Sequence, residues 1–275
     1  MSASFPPDLP APPDLPAAAA PAPDIVIRLR AAGCVFAEDE ARLLVAAAQS
    51  PAGLAAMVDQ RVAGLPLEHV LGWAEFCGLR IAVDPGVFVP RRRTEFLVRE
   101  AAALTRPRAV VVDLCCGSGA LGAALAAVGS EIELHAADID PAAVACARRN
   151  LAAAGGRAYL GDLYEPLPAA LAGRVDVLLA NVPYVPTEEV GLLPPEARLH
   201  EARLALDGGA DGLDLLRRVS AAAAHWLAPG GHLLFETSKR QASQALSIIA
   251  ADSLIPRLAS SEELAATVVI ARRPG

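Results

Sequence analysis

From residue 109 to the C-terminus, short apolar runs alternate with stretches of helical character, and this alternation restricts the fold more than any other feature of the chain. Val110-Val111-Val112-Asp113-Leu114 is apolar and β-branched. It breaks into Cys115-Cys116-Gly117-Ser118-Gly119 before a small-residue helix that runs to about residue 128. Further strands are predicted over 132–138, 157–160 and 175–180, and a helix over 141–154 with Asp140 as its N-cap. A helix over 213–227 leads to the turn Ala228-Pro229-Gly230-Gly231 and a strand over 232–237. A helix over 241–251 and strands near 254–258 and 266–271 bring the strand count to seven. Repeated βα units predict an α/β fold with a mostly parallel sheet and right-handed crossovers. An open sheet of that kind keeps its ligand site beyond the C-terminal ends of its strands.

The preceding residues divide into three pieces. Residues 1–24 are a Pro/Ala tract whose prolines forbid a stable helix, so an extended, disordered tail is predicted. Residues 25–65 read as a small helical module, with a helix from about Phe36 to Gln49 and another opened by Ser50-Pro51. Over residues 66–93 the period changes: Leu79-Arg80-Ile81-Ala82-Val83 alternates between Gly78 and Asp84-Pro85-Gly86, which predicts a β-hairpin linker. Arg91-Arg92-Arg93 follows, a run that either meets a phosphate-bearing partner or is a solvated face. Residues 94–275 form the main domain, entered by a helix over 94–104.

Net charge is −7, so nothing global draws the chain to nucleic acid or to an anionic membrane. The five cysteines include no pair at CxxC spacing and the five histidines do not cluster with them, so no metal site is expected. That cysteine usage, with no membrane-length apolar run and no basic-then-apolar leader, predicts a cytoplasmic protein.

Two loops carry candidate chemistry. Strand, then Gly117-Ser118-Gly119, then helix is a nucleotide-binding arrangement, and Asp138 at the end of the next strand can accept from ribose hydroxyls. Gly122 completes a dinucleotide-type glycine pattern. Asp113, however, puts a carboxylate just before the loop, which repels pyrophosphate and suits a cation. S-adenosyl-L-methionine carries an ammonium and a sulfonium and no phosphate, and Asp162 then falls where its adenine amino group would lie. The alternative for Asp113 is a carboxylate that caps loop amides. Cys115 and Cys116 are either reactive thiols at a helix N-terminus or small packing residues. The second loop is Asn181-Val182-Pro183-Tyr184, closing the apolar run 175–180. It reads either as a strand-terminating turn or as a site, since Asn offers one acceptor and two donors and Tyr184 a flat face.

Taken in order, these residues resemble the class I, Rossmann-like S-adenosyl-L-methionine-dependent methyltransferases. Within them the chain is similar to the HemK/PrmC family of protein N5-glutamine methyltransferases, which modify the Gln of the Gly-Gly-Gln loop in peptide-chain release factors. The resemblance runs over residues 66–273. It takes in Pro66-Leu67-Glu68-His69-Val70-Leu71-Gly72, Phe88-Val89-Pro90-Arg91, Asp113-Leu114, Gly117-Ser118-Gly119, Ala137-Asp138-Ile139-Asp140-Pro141 and Gly161-Asp162. It continues through Asn181-Val182-Pro183-Tyr184-Val185-Pro186, Glu201, Gly208-Gly209-Ala210-Asp211-Gly212-Leu213 and Pro229-Gly230-Gly231. It implies that Asp113 and Cys115, Cys116, Gly117, Ser118 and Gly119 serve the methionine end of the cofactor and that Asp138 holds the ribose. Ile139 would flank the adenine, Asp162 and Leu163 would close its pocket, and Asn181 would border the cofactor and bind the target amide beside Val182, Pro183 and Tyr184.

The chain departs from the family pattern at several of these positions. Val182 replaces a proline, Arg92-Arg93 replaces Pro-Glu/Asp, Cys115-Cys116 replaces Gly-Thr, Ala202 replaces the proline after Glu201, and Glu236-Thr237-Ser238 replaces Glu-Ile-Gly. A protein partner such as a release factor is expected, with no membrane and no nucleic acid as direct substrate. The alternatives are an adenine-N6 or small-molecule N-methyltransferase, and a non-catalytic cofactor-binding paralogue.

Overall fold

The computed structural model describes residues 23–128 and 131–275, so the Pro/Ala tract lies outside the described residues except at its end. There α1 (Pro23–Ala31) already begins, two residues inside the expected tail. Proline is tolerated in a first helical turn, and Asp24 suits the positive end of the helix. With α2 (Ala37–Ala47) and α3 (Pro51–Val62) it encloses a small core of Leu29, Ala37, Ala41, Leu44 and Val58. Ser50 caps α3 as read from the sequence, its hydroxyl accepting from Gly53 N at 3.1 Å. Inside this module Arg61 Nε donates to Glu40 Oε2 at 2.6 Å, both side chains nearly out of solvent.

The hairpin linker opens with an unexpected helical turn, α4 (Leu67–Leu71). Leu67, Val70 and Leu71 recur at helical spacing and pack against the module's core, an environment that overrides the strand reading. The expected hairpin is β1 (Trp73–Phe76) and β2 (Leu79–Ala82), paired antiparallel. Cys77 and Gly78 both take positive φ at its two-residue turn, the geometry that matches strand twist.

A 3₁₀ turn, Arg92–Thr94, leads into α5 (Glu95–Ala102), and the βα alternation follows. It comprises β3 (Val110–Leu114), α6 (Ala120–Ala127), β4 (Glu133–Asp138), α7 (Pro141–Leu151), β5 (Arg157–Leu160) and β6 (Val175–Ala180). After α8 (Pro195–His200) come α9 (Asp214–Trp226), β7 (Leu227–Glu236), α10 (Ala242–Ala251), β8 (Ile255–Ser261) and β9 (Ala266–Arg272). The turn expected at residues 228–231 lies within β7. Between Val175 and Val177 of β6 the register slips from Leu227 to His232, so the Pro-Gly segment is looped out without ending the strand.

The seven-stranded sheet has the order β5-β4-β3-β6-β7-β9-β8, parallel from β5 to β7, with β9 antiparallel to β7 and to β8. Its inner strands β3, β4, β6 and β9 are buried on both faces, whereas the edge strands β5 and β8 are largely open. Val111 joins the core shared with α5, α6 and α7, whereas Val110 and Val112 join the core shared with α9 and α10. Among the described residues, no helix is long and apolar enough to cross a membrane.

The Arg61–Glu40 pair sets a test of the helical module. Arg61→Ala strands a buried carboxylate and should cost about 3 kcal/mol. The paired change Arg61→Met with Glu40→Leu should restore most of that loss in urea denaturation, because it removes both charges and keeps their volume.

Candidate active site

Parallel register brings four strand ends level. Leu114 stands opposite both Ala137 and Ala180, and Ala180 stands opposite Phe235. The next residues, Cys115, Asp138, Asn181 and Glu236, therefore form a row along the C-terminal edge of the sheet. The strand order reverses between β3 and β6, which opens a crevice there. A cavity of about 460 Å³ occupies it.

Cys115, Cys116, Gly117, Ser118, Asp138, Ile139, Asp162, Leu163, Asn181, Val182, Pro183 and Tyr184 all line this cavity. Asp113 and Gly119 are outside its wall, although the sequence reading set both at the cofactor. Gly119 takes φ +76° and a Cβ there would lie 3.1 Å from that of Ala147, so glycine lets α6 approach α7 closely. Asp113 lies behind the loop, where Oδ2 accepts from Gly122 N at 3.1 Å. That is the amide-capping alternative. Its other oxygen, Oδ1, is buried without a partner among the described residues. Burial lifts the Asp113 carboxyl to about 7; the Gly122 N–H opposes the shift and nearby Asp138 adds to it.

Asp138 organises the loop. Its Oδ2 accepts from Gly117 N and its Oδ1 from Asp140 N, each at 2.9 Å. Asp140 in turn caps α7 through Ala142 N, as its sequence position predicts. Asp162 Oδ2 holds Arg218 Nη2 at 2.7 Å, so a cation the sequence reading did not place also borders the cavity. Burial first, then carboxylate neighbours, push both Cys115 and Cys116 thiols well above their ordinary value. They are packing residues rather than activated nucleophiles.

At the other end of the cavity Asn181 Oδ1 is buried with no donor among the described residues, and Val182 is buried. The backbone of this turn is held by two distant parts of the chain, the loop at residue 208 and the start of α10. Gly208 N donates to Val185 O at 2.8 Å, and Gln241 Nε2 donates to Tyr184 O at 2.9 Å. A Cβ on Gly212 would collide with the Tyr184 carbonyl, so this contact requires glycine at that position. The arginine run is not a free basic patch: Arg91 Nη2 reaches both Glu201 oxygens at 2.7 and 2.6 Å, and Arg93 Nε reaches Glu236 Oε1 at 3.0 Å. Sequence reading gave no role to Glu236, Gln241 or Arg218. For Glu236 a signal existed, since it is an acid at the end of an apolar strand, as Asp138 is.

The cavity fits S-adenosyl-L-methionine better than a dinucleotide. Gly117 N, which a pyrophosphate would need, is already taken by Asp138. Each arginine bordering the cavity is paired with an acid. Asn181 Oδ1, a buried acceptor in the cavity wall without a donor among the described residues, favours an N–H-bearing group.

Residues 78–210 match the family model described as the methyltransferase small domain. The chain is 41% identical over 192 residues to the release factor glutamine methyltransferase of Geobacter sulfurreducens, covering 69% of this chain and 66% of the relative. It is 40% identical over 203 residues to the protein of that name in Mycolicibacterium smegmatis, covering 72% of each. A crystal structure of a methyltransferase from Pyrococcus furiosus superposes with a TM-score of 0.55 at 16% identity, covering 72% of this chain and 90% of that one. At that identity the likeness speaks for the fold.

Asp113 makes stability depend on pH in a defined direction. Unfolded, its carboxyl ionises near pH 4; folded, near about 7. Between these values the folded chain holds a proton that the unfolded chain has lost. Its contribution is therefore fully present below about pH 4 and is lost as pH rises toward about 7. In the ligand-free protein Asp113→Asn should raise stability at pH 8, by on the order of 1 kcal/mol or more. Urea midpoints measured across pH should bring the two proteins together toward pH 4.

Proposed function

The chain belongs to the family of release factor glutamine methyltransferases, which use S-adenosyl-L-methionine, and we propose that its acceptor is a glutamine side-chain amide in a protein substrate, a peptide-chain release factor being the class its relatives' names indicate. The observation that carries this reading is Asn181 Oδ1, buried at the cavity wall with no donor.

When bound, the cofactor supplies an electrophilic methyl group on a sulfonium. Asp138, Ile139, Asp162 and Leu163 would hold its nucleoside end, and residues 115–118 its methionine end. An amide nitrogen is a poor nucleophile, since its lone pair is conjugated with the carbonyl, so the enzyme must fix its position. A primary amide has two N–H donors. Asn181 Oδ1 can accept one and the Val182 carbonyl the other, and both gain strength as positive charge develops on nitrogen. A carboxylate acceptor lacks both donors and a hydroxyl has one, so the pair selects NH2. Val182 supplies its carbonyl as a proline would, and the buried Val182 side chain steadies that carbonyl. The methylated, protonated amide is strongly acidic and passes its proton to solvent, so no side-chain base is needed.

An adenine amino group offers the same two donors. Against it stand the net charge of −7 and the pairing of Arg91 and Arg93 with acids, which leaves little cation for a phosphate backbone. We assign substrate recognition to the helical module α1–α3, which exposes Ile27, Val35 and Phe36. A substrate of the translation machinery would place the enzyme in the cytoplasm.

Asn181→Ala should lower methyl transfer to purified release factor by about a hundredfold or more, while calorimetry finds S-adenosyl-L-methionine binding unchanged. Mass spectrometry should locate the wild-type product on the glutamine amide. Retained turnover in the variant, or label on a nucleic-acid base, would overturn this reading.

A further inference from the structure

One charged cluster beside the cavity has no part in the chemistry above. β7 ends at Glu236, one strand away from Asn181, and Glu236 is only 2% exposed. Its Oε1 accepts from Tyr184 Oη at 2.8 Å and from Arg93 Nε at 3.0 Å. Arg93 Nη2 also donates to Tyr184 Oη at 2.8 Å, so the three side chains close a triangle. They come from three separate places: the 3₁₀ turn before α5, the turn after β6 and the end of β7. Arg93 and Tyr184 line the cavity, whereas Glu236 stands behind them.

The triangle acts on one group. The main chain of Tyr184 is held through its carbonyl by Gln241, and its hydroxyl is held between a guanidinium donor and a carboxylate acceptor. Pinned at both ends, the ring cannot swing about its side-chain torsions. Burial and then the Glu236 charge push the phenol's pKa up, so it stays protonated and keeps donating. The two acceptors at Asn181 and Val182 fix the amide nitrogen but hold its plane loosely, since hydrogen bonds tolerate a broad range of angles. A flat wall of fixed orientation supplies the missing restraint, and the direction of the nitrogen lone pair depends on that plane. Arg93 stands where the family pattern has an acid. An acid at that position would face Glu236 with like charge and could not close the triangle.

We propose that Arg93 and Glu236 are positioning residues for the methyl acceptor, acting through Tyr184, which they hold as the fixed wall against which the acceptor amide is laid beside Asn181. This rests on the functional reading above.

The test is a double-mutant cycle on methyl transfer from labelled S-adenosyl-L-methionine to purified release factor, with cofactor affinity and melting temperature measured in parallel. Tyr184→Phe keeps the ring and removes only its hydroxyl, so it should fold. Tyr184→Phe and Arg93→Met should each lower kcat roughly tenfold to a hundredfold, with cofactor affinity unchanged. The double variant should be no worse than the poorer single, because both changes release the same ring. Glu236→Gln, which still accepts from the phenol, should retain more activity than Glu236→Ala. Wild-type kcat in Tyr184→Phe, or losses that multiply in the double variant, would overturn this inference while leaving the functional reading standing. Failure of the wild-type protein to methylate any glutamine would overturn both.

Discussion

The site depends on parallel register. Four neighbouring strands end level, so the residues that follow them, Cys115, Asp138, Asn181 and Glu236, meet along one edge although 121 positions separate the first from the last. A slip of one residue in β6 would turn Asn181 to the opposite face of the sheet and bury it against a helix. Burial on both faces prevents that slip: Val177 and Leu179 pack on one side while Leu178 and Ala180 pack on the other. The apolar core of the sheet thus sets the geometry of its polar edge.

Along that edge the acids are divided between structure and chemistry. Asp138 accepts from Gly117 and Asp140, Glu201 holds Arg91 with both oxygens, and Glu236 holds Arg93 and Tyr184 through Oε1. Each joins chain segments that are distant in sequence and gives the loops their shape. Asp138 keeps lone pairs free for a ligand's hydroxyls, and Asn181 Oδ1 is an acceptor with no donor of its own among the described residues. A buried acceptor without a donor is costly in the free protein, and a bound N–H group removes that cost. The balance of charge also explains why a run of three arginines makes no basic surface: two of them are committed to carboxylates at residues 201 and 236.

Much of this was readable in the sequence. Period and turn chemistry located the seven strands, the N-caps Ser50 and Asp140, the glycine loop and the Asn181 turn, because each rests on interactions within a few residues. The misreadings have a common cause. The α4 turn replaced the start of a predicted hairpin because Leu67, Val70 and Leu71 found the core of the helical module. The Pro-Gly segment at residues 228–231 stayed inside β7 because β6 pairs on either side of it. Of the two readings of Asp113, the capping one is what its Oδ2 makes, accepting from Gly122 N in the first turn of α6.

By itself the sequence determined the fold class, the family resemblance and the identity of the loop and amide-turn residues, since local propensity and hydrophobic period are properties of neighbouring residues. Only the tertiary structure decided which side chains share the cavity. It moved Asp113 and Gly119 behind the wall, turned Arg91 and Arg93 from a charge run into partners of Glu201 and Glu236, and set Gly212 and Gln241 against the carbonyl of Tyr184. Those pairings cross tens to more than a hundred positions of chain. No local pattern encodes them, because they follow from strand order and register once the core has packed.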